Sequence, residues 1–437
     1  MREWPRYVYT FLFYAAIPIL VARLWWRGRQ SPGYRRNWLQ RFGFVPTGLQ
    51  RPLWVHAVSL GETIAIAPLV QRLLDEHPDQ PIMMTSMTPT GKARAEALFG
   101  NRIQHFYCPY DLPDALNRFL NRVKPCGCLV VETELWPNMA VACESNSIPL
   151  MIVNARLSER SARGYQRFKA LSFPLMQRLN YLVAQSDTDA ERFRRLGLSA
   201  DRIEVSGSIK FDIQIDEAVR VIGNDFKSGF KDRFVLMFAS SHADEEAQLL
   251  AASQSLLVRF PQVLLLVVPR HPERFEPVHQ FFVEQLGAAA IARRSQPEFI
   301  TARTRVLVGD TLGEMLMFYT AANLVVMGGS FVDVGGHNPV EPAALKTPVI
   351  MGPYHHNFSV ISDAMVSAGG MYIVESMRVA IEKAEVLMSD QEALDEMGQA
   401  AFTYAESQRG ALGRLYHVVE TRLITPSVKS SAESEQL

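Results

Sequence analysis

An excess of charge of either sign is absent from this 437-residue sequence, in which 45 lysine and arginine residues balance 45 aspartate and glutamate residues. Proteins that gather nucleic acid do so with a strongly basic surface, which displaces counterions from the phosphate backbone. The balanced composition therefore predicts that the protein has no nucleic-acid partner.

Cysteine is scarce, and the chain contains only four: Cys108, Cys126, Cys128 and Cys143. No two of them form a C-x-x-C pair, and Cys126 and Cys128 alternate within a predicted buried strand. We therefore interpret the four as thiols of the core rather than as metal ligands or disulfide partners, which fits a reducing compartment.

Residues 7–22, YVYTFLFYAAIPILVA, are sixteen residues without a charge and end before Arg23. This length, or about twenty residues if Arg23 extends its charged end toward lipid headgroups, is near the minimum that crosses a bilayer. No signal-peptide cleavage site follows the run, so we predict a membrane anchor over residues 1–30 that either spans the membrane or lies at its interface. The anchor contributes to neither predicted sheet, and we expect both domains to fold without it.

The arginines around this run are distributed unevenly, since six follow it before residue 42 and only Arg2 and Arg6 precede it. Positively charged flanks stay on the cytoplasmic side of a membrane. We therefore expect the body of the protein to be cytoplasmic.

The remaining sequence is too long for one hydrophobic core and alternates short apolar runs with helix-like segments, a pattern typical of parallel sheets with helical crossovers. The predicted strands of the first half are Leu53–Val58, Ile82–Met87, His105–Cys108, Leu129–Glu132, Leu150–Asn154, Tyr181–Gln185 and Ile203–Ser206. Those of the second half are Phe234–Ala239, Val263–Val268, Ala288–Ile291, Arg305–Val308, Leu324–Met327 and Pro348–Met351.

These strands predict an α/β protein with two Rossmann-like domains. An N-terminal, acceptor-binding domain would cover residues 31–211 and a C-terminal, nucleotide-sugar-binding domain residues 233–424, joined by a linker over 212–232 and followed by a disordered tail over 425–437. Two such domains facing a central cleft make up the GT-B glycosyltransferase architecture. Several unrelated activities share it, so the fold alone does not name the reaction.

The segment WVHAVSLGETIAIAPLVQRLL predicts a strand, a tight turn and a helix whose first turn contains Glu62. Ligands of parallel sheets bind at the carboxyl ends of the strands, where this glutamate would lie. A carboxylate in the first turn also stabilises a helix through its dipole, so the spacing leaves a functional and a structural role open.

In the second half, polar and glycine-rich segments follow three strands. Arg270 follows VLLLVVP, Gly309–Met315 follows RVLV, and GGSFVDVGGHNPVEPA, with Glu341 in a helix first turn, follows Leu324–Met327. Free N–H groups at helix N-termini and a strand-end guanidinium suit a nucleotide phosphate or a sugar carboxylate, although any one of them can be structural.

The first half has its own polar strand ends. Glu132 and Glu134 follow one strand, Asn154 and Arg156 close the next, and Lys210 follows the last. They are candidates for a sugar or acceptor site, with helix capping as the equally weighted alternative.

With these pieces in order, the sequence closely resembles the Kdo transferases, which transfer 3-deoxy-D-manno-octulosonic acid (Kdo) from CMP-Kdo to the lipid A precursor. The resemblance runs from the anchor to about residue 420 and is carried by VHAVSLGET, ETELWPN, NARLSERS, SGSIKFD, VPRHPERF and GGHNPVEPA. It implies an inverting GT-B enzyme of lipopolysaccharide inner-core biosynthesis at the bacterial inner membrane, with lipid IVA as the acceptor.

The resemblance also implies roles for individual residues. The glutamate of the family's SxGE turn, the proposed general base, corresponds to Glu62. The family's CMP contacts correspond to Pro269, Arg270, Leu312, Gly313, Glu314, Asn338, Pro339, Val340 and Glu341. Val340 stands where many relatives have leucine, an exchange that leaves a backbone contact intact.

No cofactor and no metal are expected, because CMP is a good leaving group and no acidic metal-binding cluster stands out. Asp187 and Asp189 resemble a D-x-D motif but lie where a helix N-cap belongs, and we interpret Asp187 as that cap. Two alternatives remain: a GT-B transferase or epimerase that uses a UDP-sugar, and a non-catalytic membrane scaffold.

Overall fold

The computed structural model describes residues 3–48, 51–297 and 300–425. The chain divides into two compact units. Unit 1 comprises Met1–Asp212 and Arg409–Leu437, and unit 2 comprises Ile213–Gln408.

Unit 1 is built on a seven-stranded sheet of order β3-β2-β1-β4-β5-β6-β7, in which every pairing is parallel. Its strands are β1 Leu53–His56, β2 Ile82–Ser86, β3 Ile103–Tyr107, β4 Gly127–Val131, β5 Leu150–Ala155, β6 Tyr181–Ala184 and β7 Ile203–Val205. The central strands are buried throughout, as expected for a sheet covered by helices on both faces.

The helices of unit 1 are α1 Trp4–Gln30, α2 Leu60–Glu76, α3 Pro89–Phe99, α4 Pro113–Val123, α5 Pro137–Ser145, α6 Glu159–Arg167, α7 Lys169–Arg178 and α8 Asp187–Arg195. A helix near the end of the described chain also belongs to unit 1 and packs on α2; it is labelled α17 and spans Ala411–Val419. Short 3₁₀ turns complete the connections, among them Ile209–Phe211.

Unit 2 repeats the design with a second seven-stranded, all-parallel sheet of order β10-β11-β9-β8-β12-β13-β14. Its strands are β8 Phe234–Ser241, β9 Val263–Pro269, β10 Ile291–Arg293, β11 Val306–Val308, β12 Leu324–Met327, β13 Val349–Met351 and β14 Met371–Ile373. Its helices are α9 Glu217–Ser228, α10 Glu245–Arg259, α11 Phe275–Leu286, α12 Met315–Ala321, α13 Val340–Ala344, α14 Ser359–Ser367, α15 Met377–Met388 and α16 Gln391–Ser407.

The predicted strands are confirmed to within a few residues, with two exceptions in unit 2. The strand predicted at Ala288–Ile291 begins only at Ile291, because Ala288–Ala290 forms a 3₁₀ turn. Strand β14 was not predicted, since it has only three residues, and one of them, Tyr372, is exposed.

The predicted domain boundaries need two corrections. Residues 212–232, expected to form a linker, contain α9, which packs on α12 through Phe226 and Phe318 and through Gly223 against Thr320. Residues 409–424, assigned to the C-terminal domain, belong to unit 1, because Tyr416 of α17 packs over the side chains of α2. The predicted tail lies outside the described residues beyond Thr425.

The helix α1 is long and apolar enough to cross a membrane, since an 18-residue window within Trp4–Arg29 has a mean hydropathy of 1.6. It nevertheless packs along unit 1. Arg6 and Thr10 donate to the Asn138 side chain at 3.0 and 3.1 Å, and Phe13, Ile17 and Leu24 pack around a small apolar cluster of the domain. The expectation that both domains fold without this segment stays a prediction, and removal of α1 would expose the apolar and polar groups of unit 1 that it covers.

Asn138 connects α1 to the domain core. Its side chain is 2% exposed and donates to the Asp111 carbonyl at 2.7 Å while accepting from α1. We predict that Asn138→Ala lowers the free energy of unfolding by about 1–3 kcal/mol, because it leaves buried partners without a hydrogen bond. Thermal and urea unfolding measure the loss, with Gln71→Ala, which removes an exposed hydrogen bond to Asp75 on α2, as the control; equal stability of the two variants would contradict this role.

Candidate active site

Glu62 lies at the carboxyl edge of the unit 1 sheet, in the first turn of α2. The Ser59 hydroxyl accepts from the Glu62 backbone N–H at 3.4 Å and donates to Glu62 Oε1 at 2.8 Å. The backbone N–H of Val58 donates to Glu62 Oε2 at 2.8 Å. This reciprocal arrangement is a capping box, so the structural role left open by the sequence is realised.

The electrostatic state of Glu62 differs from that of an ordinary capping carboxylate. Burial raises the pKa of Glu62 to about 7, against the lowering effect of the hydrogen bonds from Val58 and Ser59. The nearby carboxylates of Glu132 and Glu134 raise it further. A carboxylate whose pKa lies near the working pH and which two donors hold in place is suited to accept a proton from a substrate.

Two residues next to Glu62's edge of the sheet have left-handed backbones that non-glycine residues rarely adopt. Glu132, directly after β4, has φ 61°, and Asn154, near the end of β5, has φ 51°. Such strain concentrates at functional sites, where it aims a side chain or a backbone group. Asn154 is fully buried, and its Nδ2 makes no hydrogen bond within the described part of the chain.

The basic residues predicted for this half join the same edge. Lys210 Nζ lies 3.9 Å from Glu132 Oε1, and burial together with the Arg156 charge lowers the pKa of Lys210, while Glu132 raises it. The structure thus brings Glu62, Glu132, Arg156 and Lys210 into one electrostatic neighbourhood. An anionic sugar or a phosphate would find two cations there.

Sequence reasoning missed a buried aromatic and polar cluster beneath this edge. Thr85 Oγ1 accepts from Trp54 Nε1 at 2.8 Å and lies 2.9 Å from His56 Nδ1. The His56 ring packs edge-on against Trp136, whose Nε1 donates to Glu134 at 2.8 Å. The VHAVS and ETELWPN motifs therefore meet, a contact that only the parallel β1–β4 pairing creates.

In unit 2 the glycine-rich segment after β12 is fixed by a glutamate that sequence reasoning also missed. The Glu245 carboxylate accepts from the backbone N–H groups of Gly329 at 2.8 Å, Phe331 at 3.0 Å and His242 at 2.9 Å. Gly328 approaches β8 so closely that a Cβ there would lie 2.5 Å from the Ser240 carbonyl oxygen. The turn is therefore held by hydrogen bonds to Glu245 and by the close approach of its backbone to β8.

Arg270 and Glu341 face the same part of the unit 2 sheet edge. Burial raises the pKa of Glu341, while Asn338, which donates to it at 3.2 Å, and Arg270 lower the pKa. Asn338 also accepts from the Val340 backbone N–H at 3.1 Å and so organises the entry of α13, a helix that Pro339 precedes. Arg270 itself is exposed at the end of β9, next to Pro269.

The turn after β11 is polar and partly open. Gly313 has φ 82°, Leu312 is 75% exposed, and Glu314 accepts from Arg294 at 2.8 Å and from the Thr311 hydroxyl. Glu314 is thus held by its own neighbours.

Three histidines, unnoticed in the sequence, surround Arg270. His242 Nε2 lies 2.8 Å from His337 Nε2 in a stacked pair, and His271 packs edge-on against His242. Burial, together with the charges of Arg270 and the neighbouring histidines, lowers the pKa of His337 to about 3, so this ring is neutral at physiological pH. A neutral His337 ring beside the arginine supplies a hydrogen bond without adding charge.

The helix cap predicted at Asp187 is wrong. Ser186 caps α8 by accepting from the Asp189 backbone N–H at 3.1 Å. The buried Asp189 carboxylate accepts from the Leu157 N–H and from the Ser186 hydroxyl, so its role is to join two loops.

Comparisons with solved structures define the fold. A glycosyltransferase from Rickettsia africae matches with a TM-score of 0.56 at 12% identity, covering 86% of this chain and 100% of that one. A UDP-GlcNAc 2-epimerase from Neisseria meningitidis matches with a TM-score of 0.55 at 13% identity, covering 85% of this chain and 98% of that one. These likenesses show the GT-B fold alone.

Sequence relatives define the family. A model of the 3-deoxy-D-manno-octulosonic-acid transferase (Kdo transferase) family matches residues 36–213. Kdo transferases of Haemophilus influenzae and Bordetella pertussis are each 36% identical to the chain, covering 96% and 95% of it and 99% of each relative. The protein is therefore a glycosyltransferase of the GT-B fold. It belongs to the Kdo transferase family.

The raised pKa of Glu62 predicts a pH-dependent contribution to stability. Because the folded-state pKa of about 7 exceeds the usual 4.5, folding favours the protonated form, and this contribution is present below the lower value and lost as pH rises through the higher one. We expect wild type to lose melting temperature relative to Glu62→Gln between about pH 5 and about pH 8. A difference in melting temperature that stays constant across this range would contradict the raised pKa.

Proposed function

We propose that the protein transfers Kdo from CMP-Kdo to the lipid A precursor, lipid IVA, with inversion at the anomeric carbon and with Glu62 as the general base. One observation carries the proposal: the Glu62 carboxylate is desolvated at the carboxyl edge of the sheet, with a pKa raised to about 7, while Val58 and Ser59 hold it in place.

The chemical step is a direct displacement. The acceptor hydroxyl oxygen forms a bond to the anomeric carbon of Kdo as the bond from that carbon to the phosphate oxygen breaks, and CMP leaves with the bonding electron pair. Glu62 takes the hydroxyl proton. The Ser59 and Val58 hydrogen bonds orient the carboxylate without neutralising it, so reorganisation during the transfer is small.

The nucleotide is proposed to bind at the unit 2 edge. Arg270, exposed at a strand end, would meet the phosphate charge, and Glu341, positioned by Asn338, would accept hydrogen bonds from the ribose hydroxyls. The turn held by Glu245 and the segments Leu312–Glu314 and Asn338–Glu341 would provide backbone contacts. No metal is included in this scheme, because the arginine supplies the countercharge.

The acceptor is proposed to bind at the unit 1 edge. Lys210 lies beside Glu132, and the Arg156 charge acts on Lys210. The two cations would attract a phosphorylated sugar headgroup. The packing around this edge imposes left-handed backbones on Glu132 and Asn154, and such strained positions are typical of edges that position a substrate group.

For the membrane we propose that α1 lies in the plane of the interface rather than across the bilayer. Its contacts with unit 1 extend from Arg6 to Leu24, about 27 Å of helix at 1.5 Å per residue, which is close to the full hydrocarbon thickness. A perpendicular helix would carry these contacts, including the Tyr14 hydrogen bond to Asp114, into hydrocarbon.

The opposite face of α1 supports the same proposal. Its large apolar side chains are exposed, among them Trp4 at 60%, Phe11 at 72%, Ile19 at 71% and Trp26 at 72%. Apolar and aromatic residues on one face, followed by arginines, are typical of helices that lie at an anionic membrane surface.

The role of Glu62 is tested by Glu62→Gln, which keeps the shape but cannot take a proton. We predict a loss of about 10² to 10⁴ in kcat at unchanged donor affinity, and a wild-type rate that rises with pH through the pKa of about 7. Single-turnover transfer at saturating substrates measures both. Glu76→Gln, on the exposed end of the same helix, is the control, and a folded Glu62→Gln with near-normal turnover would assign the base elsewhere.

The nucleotide site is tested by calorimetric binding of CMP. Arg270→Ala is expected to weaken CMP binding by about 1.5–3 kcal/mol through loss of a charge-assisted hydrogen bond, and Glu341→Ala weakens it through the ribose. Arg259→Ala, which removes an exposed ion pair with Glu385 in the same unit, serves as the control. If both site variants bind CMP with wild-type affinity, the donor site lies elsewhere.

The orientation of α1 is tested with an epitope tag ahead of Met1 in sealed inner-membrane vesicles. An in-plane helix leaves the tag and the body of the protein on the same side, so protease added to that side removes both. Protection of the tag while the body is digested would show that α1 crosses the bilayer.

A further inference from the structure

Unit 1 contains a cavity of about 210 Å³ that none of the steps above uses. It lies between α1 and the pair α6–α7. Its lining is largely apolar and includes Tyr9, Leu135, Pro137, Tyr165, Phe168 and Leu175.

One end of this cavity adjoins the carboxylates of the active-site edge. Leu135 directly follows Glu134 in the chain. Burial and the charge of Glu134 raise the pKa of the Tyr165 hydroxyl. Glu134 in turn acts electrostatically on Glu62. The cavity therefore adjoins the segment that contains Glu134 and Trp136, in which the Trp136 ring donates to the Glu134 carboxylate and packs on His56 of β1.

The other side of the cavity belongs to the membrane-associated helix, because Tyr9 lies on α1. The position of Tyr9 between Arg6 and Thr10, which both bond to Asn138, keeps this wall fixed. The cavity thus lies between the proposed lipid-facing helix and the chain segment Leu135–Pro137 that follows Glu134.

Phe168 at this cavity is unusual, since a large aromatic side chain is 70% exposed at the junction of α6 and α7. Leu175, which also lines the cavity, is buried. Apolar cavities are poor sites for water and accept hydrocarbon readily. An exposed aromatic side chain beside such a cavity is typical of a lipid-binding or ligand-binding surface.

We propose that this cavity binds an acyl chain of the lipid acceptor and thereby holds the acceptor's sugar headgroup beside Glu62. The proposal rests on the function proposed above and adds a hydrocarbon site to its polar one. It explains how an enzyme attached to the membrane surface by α1 reaches a hydroxyl on a molecule whose chains are in the bilayer, because one chain leaves the bilayer beside α1 without entering water.

The proposal is tested by filling the cavity. Leu171, which also lines it, is replaced by tryptophan, and Gln166→Trp, on the exposed side of α6, is the matched control. The full-length proteins are assayed in phosphatidylethanolamine–phosphatidylglycerol vesicles with the acylated disaccharide acceptor. We expect Leu171→Trp to lower kcat/KM for this acceptor about tenfold or more, with the KM for CMP-Kdo unchanged and the control at the wild-type value.

A second variant and a binding readout keep the test decisive if the tryptophan disturbs folding. Phe168→Asp places a charge beside the cavity at an exposed position and should lower kcat/KM for the acylated acceptor in the same way. An acceptor with a diazirine at the end of one acyl chain should label the peptide containing residues 165–175 in wild type and lose this labelling in Leu171→Trp.

The outcomes separate the cavity from the reaction. Wild-type transfer without any effect of either variant, or labelling confined to other peptides, would overturn the acyl-chain site while leaving the proposed function intact. Labelling of residues 165–175 by a diazirine phospholipid that excess acceptor does not displace would assign the cavity to bilayer lipid and overturn the proposal. Absence of Kdo transfer by wild type would instead contradict the proposed function. In that case the labelling would still show whether an acyl chain binds in the cavity.

Discussion

The hydrogen bonds between Glu62, Ser59 and Val58 are the interaction on which this site depends. A capping box normally stabilises a helix in water, where its carboxylate stays ionised. Here the box lies at the carboxyl edge of a sheet whose neighbouring loops bury the carboxylate, so the same contacts that begin α2 also fix a group with a pKa near 7. The Glu62 side chain therefore both caps α2 and serves as the proposed base.

The polar groups around Glu62 come from the ends of neighbouring strands. Glu132 and Asn154 adopt left-handed backbones at the ends of two adjacent strands, and Lys210 comes to Glu132 from a 3₁₀ turn far along the chain. Strain of about 1–3 kcal/mol for each such residue persists only where packing compensates for it. The fully buried sheet core of unit 1 provides that packing.

Much of this could be predicted from the sequence, because buried strands that alternate with helices leave a strong apolar signal and the Gly-Glu and Asn-Pro-x-Glu turns leave a local one. Two failures were local, at the cap of α8 and at the start of β10, and the others depended on contacts between distant segments. The return of α17 to unit 1 and the packing of α9 on α12 leave no trace in local periodicity. The box around Glu62 was visible as S-x-x-E, but the desolvation that raises its pKa comes from elements far from it in the chain. For the same reason, the contacts of Glu245 with Gly329 and Phe331 could not be inferred locally.

The central claim is that this family member moves Kdo from a cytidine nucleotide to a lipid acceptor without a metal. The most direct test incubates the full-length protein in vesicles with CMP-Kdo, the acylated acceptor and excess EDTA, and follows the mass and anomeric configuration of the product. The account predicts an acceptor that gains Kdo with inverted configuration at a rate unaffected by EDTA. A product formed only from a UDP-sugar, or a reaction abolished by EDTA and restored by Mg²⁺, would contradict it.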